Sequence, residues 1–201
     1  MLKPKDILDF WFGPLDADGM PEPEKYQLWF RATRQFDQLL RRRFMSYVTM
    51  ASENGLEQWE VTPEGRMALI LLLDQFSRNI FRGTAMAFEN DRQARTLCRA
   101  GLARGDDVRL PEIQRAFFYL PLEHSERRED QAECVALYEQ LYAVCQEPLR
   151  GLIGSFLEYA RDHRDIIERF GRFPHRNAIL RRANTAAEED YLQRGAPSFG
   201  Q

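Results

Sequence analysis

Apolar residues recur along this chain at intervals of three and four, the spacing that keeps them on one side of a helix. Lys3 to Phe12 reads as a short amphipathic helix, with Pro4 and Asp6 in its first turn and Gly13-Pro14 closing it. Asp, Gly and Pro then dominate residues 13 to 23, a turn cluster. From Glu24 the pattern resumes with Tyr26, Trp29 and Phe30, then Phe36, Leu39, Leu40, Phe44, Tyr47 and Val48. Thr33 divides it as a cap, and Asn54-Gly55 closes the longer half.

Thr62-Pro63-Glu64 is a helix start signal. The stretch that follows, Met67 to Leu73, is apolar on every side and is expected to be the buried central helix. It turns abruptly polar through Asp74, Gln75, Ser77, Arg78, Asn79 and Arg82. Glu89-Asn90-Asp91 opens a charged helix that buries Ala94, Leu97 and Cys98. Leu110 to Leu120 forms another, which Pro121 to Glu126 is expected to break, with Ser125 capping the next helix near Arg127. Asp130 to Cys145 and the long Leu149 to Phe170 follow, the latter closed by Gly171. After a corner at Phe173-Pro174, His175-Arg176-Asn177 opens a short helix, and Thr185 to Glu188 is a capping box for the last one.

No alternating strand pattern with a hairpin turn interrupts this sequence, so the expected fold is all-α. Short loops between helices predict an irregular array of antiparallel helix hairpins. No repeat of roughly 34 or 40 residues is visible, which argues against a regular solenoid.

The length of 201 residues suits a single domain spanning 1–201. A net charge of −3 gives no overall basic field, so nucleic acid is not the expected partner. The longest apolar run, Met67 to Leu73, is too short for a bilayer, and the first residues lack the apolar core of a secretion signal. No membrane association and a cytoplasmic location are expected. Cys98, Cys134 and Cys145 are odd in number and widely spaced, which predicts reduced side chains rather than a disulfide framework or zinc site.

Three constellations carry candidate chemistry. Asp74 lies one helical turn from Arg78, beside Asn79 and Arg82. It follows a wholly apolar helix, so its carboxylate should enter low-dielectric surroundings that require a partner. In Glu123-His124-Ser125-Glu126 two carboxylates flank an imidazole, an arrangement expected to raise its pKa and to suit acid–base work. The third is Ala160 to Leu180, where His163 sits on a buried helical stripe. Three guanidiniums, Arg169, Arg172 and Arg176, fall within eight residues there, followed by Asn177 and with His175 among them. If they converge they suit a carboxylate or phosphate. Alternatively they meet Asp74, Glu123 and Glu126 in a network that fixes helix packing.

Ile7 to Gly13, Trp29-Phe30, Leu72 to Gly83, Pro121 to Glu126 and His163 to Asn177, in that order, resemble the DUF924 family, a bacterial and plant family of unknown function. The resemblance covers residues 6 to 194. It implies a tetratricopeptide-like right-handed superhelix of helices in a single domain, and no established activity. Ser77 stands where the family usually has proline, and Arg181 where it usually has glycine; both positions are read as turns.

These observations predict a recess that binds an anionic small molecule, with catalysis left open. Arg78, Asn79, Arg82, Arg172, His175, Arg176 and Asn177 would hold the ligand. His124 or His163 would be the acid or base, oriented by Glu126 or Asp74. No spacing calls for a metal or other cofactor. The competing expectation is a tetratricopeptide-like module gripping a protein or peptide partner, with the same clusters as structural locks.

Overall fold

The structure, a computed structural model, describes residues 2–30 and 33–196; the Phe30 side chain lies outside it. Among the described residues there are helices and turns, and the extended pairing is a single bridge between Leu15 and Pro21.

Local signals place most helix starts. In α1 (Pro4–Phe12) proline opens the first turn, and Gly13 at φ 68° takes the chain out. α2 (Pro23–Phe30) leads to α3 (Arg34–Ser52), where the Thr33 hydroxyl accepts from the Phe36 N–H at 3.2 Å. Thr62 caps α4 (Pro63–Leu71) in the same way, through the Gly65 N–H at 3.1 Å. Thr185 and Glu188 form the reciprocal capping box of α10 (Ala186–Gln193).

The apolar α4 is central. It packs against α1, α6 (Asp91–Arg104) and α7 (Glu112–Glu123), and Met67 through Leu73 is buried throughout. Burying a full leucine or isoleucine side chain is worth about 1.5–3 kcal/mol, so this segment anchors the core. The helix does not stop at Leu73. It widens into a π turn over Leu72–Phe76 and resumes as α5 (Ser77–Ile80). The wider ring opens the i→i+4 ladder by one residue at Asp74. Ser77 is therefore buried within a continuous helical run rather than in a turn; its hydroxyl donates to the Leu72 carbonyl at 3.1 Å.

α7, α8 (Arg128–Val144) and α9 (Glu147–Phe170) pack mutually, and Ile166, Ile167 and Phe173 start a second small apolar cluster where α9 ends. Pro121 does not break α7, contrary to expectation; the helix carries it inside and ends at Glu123. The cost of the missing N–H is outweighed by packing, because Leu120, Pro121 and Leu122 are all buried. Ser125 does not cap α8. Its hydroxyl donates to Asp130 at 2.5 Å, while Arg127 occupies the cap position. His175-Arg176 lies in a single 3₁₀ turn (Pro174–Arg176). The three cysteines are free and buried. Among the described residues, no helix is long and apolar enough to cross a membrane.

Candidate functional site

The π turn, the α7 C-terminus and the corner after α9 bring one polar cluster together. Asp74, with 0% exposure, takes its position from the π turn. The Arg78 guanidinium lies 3.1 Å from one of its oxygens, one helical turn along, as the sequence predicted. His124, which caps the end of α7, places Nδ1 2.7 Å from the same oxygen. Gln75 donates to the other oxygen at 2.7 Å. Burial by itself would raise the Asp74 pKa, but Arg78 and then His124 override it and hold the carboxyl well below the usual range. An ionised Asp74 accepts, so the imidazole proton sits on Nδ1 and Nε2 carries the lone pair. Nothing among the described residues hydrogen-bonds to that Nε2, and the His124 side chain remains 14% exposed.

Arg78 also makes a bidentate pair with Asp91, at 2.8 and 3.1 Å. Arg176 closes the cluster from the corner after α9. Its Nη1 donates to the His124 carbonyl at 3.1 Å and lies 3.6 Å from Asp91. Its guanidinium lies over the rings of Phe88 and Phe173, at 4.7 and 4.4 Å, and its buried Nε has no hydrogen-bond partner among the described residues. Burial, then the nearby Arg78 charge, lowers its pKa to about 10.

The expectation that Glu123 and Glu126 would raise the His124 pKa is overturned. Burial is the largest influence and lowers it, Arg78 adds to that, and Asp74 only partly opposes them. The two glutamates face elsewhere. Glu123 lies beside His163, with Oε1 3.5 Å from Nδ1. Glu126 accepts from the Phe173 N–H at 2.8 Å and pairs twice with Arg182. His163 donates its Nδ1 proton to the Tyr159 carbonyl at 2.8 Å, and burial drives its pKa down to about 3. Its ring centroid is 6.2 Å from that of His124.

Asp74, Arg78, His124, His163 and Arg176 are thus neighbours. Asn79 and Arg82 form an outer tier: Asn79 donates to the Gln75 carbonyl and accepts from Arg82, which pairs with Asp37. Asn177 reaches Glu126 only through Arg182, whose Nε donates to it at 2.9 Å. His175 packs on Phe173, ring centroids 5.5 Å apart. Arg172 spends its hydrogen bonds on Glu188 and the Ala183 carbonyl instead of on this cluster. A cleft of about 340 Å³ lies along the end of α9, lined by Asp162, Asp165, Ile166, Arg169, Phe170 and Tyr191. It takes Arg169, which lies over the Phe170 and Tyr191 rings, away from Arg172 and Arg176 and includes none of the other candidate residues. Among the described residues, no group of three or more His, Cys, Asp or Glu is placed to hold a metal ion.

Sequence reasoning missed Asp91, read only as a helix start, and Gln131, whose amide donates to the Glu123 and Ser125 carbonyls at 2.6 and 2.7 Å. Asp130 was missed too: it pairs with Arg95 and Arg99 of α6 and accepts from Ser125. Buried acids facing several arginines were signalled only by their number, because their partners are distant in sequence.

An all-helical array with a buried Asp–His–Arg corner is the class that the fold and cluster define. The chain belongs to the DUF924 family: the model for "Bacterial protein of unknown function (DUF924)" matches residues 7–196. It is similar to the solved structure of a protein of unknown function from Agrobacterium tumefaciens, with 39% identity, a TM-score of 0.80, and coverage of 96% of this chain and 97% of that one. No curated protein matches it.

Proposed function

We propose that the Asp74–His124 corner is an acid–base site that binds a small molecule bearing an anionic group. The observation that carries this reading is the 2.7 Å contact between Asp74 and His124 Nδ1. The carboxylate fixes the tautomer and orientation of the ring, and Nε2 is left as a base towards the partly open side. A pKa below the ordinary histidine value keeps His124 neutral at pH 7, as a base must be. Arg176 is the cation for the anionic group, since its paired carboxylate, Asp91, is 3.6 Å away and already held by Arg78, and its Nε is uncommitted. Arg78 is shared by Asp74 and Asp91 and serves to hold the corner.

The test is a thermal-shift screen of small carboxylates and phosphate esters against wild type, His124→Gln and Arg176→Gln. Compounds that stabilise wild type and lose the effect in both variants are expected, because binding to the native state raises its stability by mass action. Failure of every compound on wild type, or equal shifts in all three proteins, refutes the reading.

A second reading makes the clusters interhelical locks of a module that grips a peptide. It is favoured by the pairing of Arg172 with Glu188 and of Arg82 with Asp37, which neutralises two of the arginines expected to hold a ligand.

A further inference from the structure

Glu123 is a buried carboxyl that the reading above does not use. It is the last residue of α7, immediately before His124, and is 4% exposed. Among the described residues its Oε2 has no hydrogen-bond partner. Buried polar atoms in folded proteins nearly always have one, so such an oxygen points to a donor or acceptor that arrives from outside the chain.

The groups around Glu123 explain its isolation. From α8, Tyr138 donates its hydroxyl to the Ala116 carbonyl at 2.7 Å, and the Cys134 thiol lies 3.8 Å from the Tyr119 carbonyl. Gln131, also from α8, donates to the Glu123 backbone rather than to its carboxyl. From α9, His163 has committed its Nδ1 proton to Tyr159. From the π turn and α5 come one negative charge, Asp74, and one positive, Arg78, and Arg78 is already shared by two aspartates. An ionised Glu123 would thus have one oxygen without a donor and a second carboxylate near it. The neutral acid is the favoured form. Burial, and then the Asp74 charge, pushes its pKa up to about 8.

We propose that Glu123 is the proton donor that complements His124, so that the corner carries out proton shifts with an acid and a base on consecutive residues, the acid facing His163 and the base facing Asp74. The proposal rests on the Asp74–His124 reading. In the forward step His124 Nε2 takes a proton from the bound molecule: a bond from hydrogen to the molecule breaks and an N–H bond forms. The O–H bond of Glu123 breaks, and its proton reaches the atom on which negative charge has developed. The proton on His124 then returns to the Glu123 carboxylate through water, and both groups are restored. No electrons are exchanged with any other reagent, so the class is isomerisation or a comparable internal proton transfer. Two titratable groups whose surroundings push their pKa values apart in opposite directions, a carboxyl kept neutral and an imidazole kept unprotonated, form the pair such a reaction needs.

The test uses the full chain without ligand. Infrared spectra across pH 6 to 10 read the carbonyl stretch of protonated carboxyls, and nitrogen-resolved NMR reads the His124 ring. Wild type is expected to keep a carboxylic-acid band at pH 7 that is lost as pH rises through about 8. The His124 resonances should show an inflection over the same range. Glu123→Gln should abolish both the band and the inflection while leaving the fold intact. If wild type has no protonated carboxyl at pH 7, or if the His124 ring is blind to the titration, the proposal is overturned, and the wild-type spectra decide this even should the variant fail to fold. A band that persists in Glu123→Gln overturns it as well. His124→Gln with the band retained leaves Glu123 as the acid, and the ligand screen then judges the base separately.

Discussion

Asp74→Asn is the substitution that bears hardest on the polar corner. It removes one charge and keeps the shape, while turning one of two accepting oxygens into a donor that would face the Gln75 amide or the Arg78–His124 pair. Asp74 has 0% exposure and is the carboxylate that Arg78 and His124 share. Removing one partner of a buried pair costs about 3–5 kcal/mol, chiefly through the charge left behind. Arg78 keeps Asp91 at 2.8 Å, which places the expected loss at the lower end, about 3 kcal/mol. For a chain of 201 residues at roughly 2–4 °C per kcal/mol, that is a fall in Tm of about 6–12 °C. Urea unfolding followed by circular dichroism measures it, together with Arg78→Met and the double variant as a cycle.

The pH dependence has a definite sign. The folded Asp74 carboxyl is held below its unfolded value, so it stabilises the fold above the unfolded carboxylate pKa of about 3.9. That contribution disappears as pH falls towards the folded value. The wild type and Asp74→Asn should therefore differ most at neutral pH and converge in acid. A loss below about 1 kcal/mol at pH 7, or additive single effects in the cycle, would show that the pair contributes no net stability and would refute the argument.

Other substitutions test separate features. Folded Glu123 keeps its proton up to about pH 8, whereas the unfolded chain releases it near pH ~4.3, so wild-type stability should decline between these values and Glu123→Gln should flatten that slope in urea titrations at a series of pH values. Arg181 adopts φ 54°, a left-handed conformation in which a side chain is strained, so Arg181→Gly should raise the urea midpoint by an amount equivalent to about 1 kcal/mol; a lower midpoint would contradict this. At Gly101 an added Cβ would lie 2.4 Å from the Phe118 ring and 2.6 Å from the Arg66 side chain, so Gly101→Ala should cost about 1–3 kcal/mol in the same assay.

What the sequence makes legible follows from the range of each interaction. The central helix could be read because seven consecutive apolar residues leave no polar face, and Met67 to Leu73 is indeed buried. Asp74 with Arg78 could be read because four residues is a helical contact distance. The caps at Thr33, Thr62 and Thr185 are local as well. His124 meets Asp74 across 50 positions and Arg176 meets the His124 carbonyl across 52, distances at which spacing rules carry no information. The same limit explains why Arg172 was grouped with Arg176: nothing near it in the chain announced that Glu188, 16 residues on, would take up its charge. The π turn left no trace either, because one extra residue per turn hardly alters an apolar stretch.

Asp130 makes the corner depend on two turns of α6 that lie beyond Asp91 and touch none of its other members. It is fully buried, receives Arg95 and Arg99 from α6, and accepts the Ser125 hydroxyl one residue beyond His124. The imidazole therefore owes its steadiness to a brace on its far side. A screen for impaired variants should return changes at Asp130, Arg95 and Arg99 together with those at Asp74 and His124, although none of the three would ever meet a ligand.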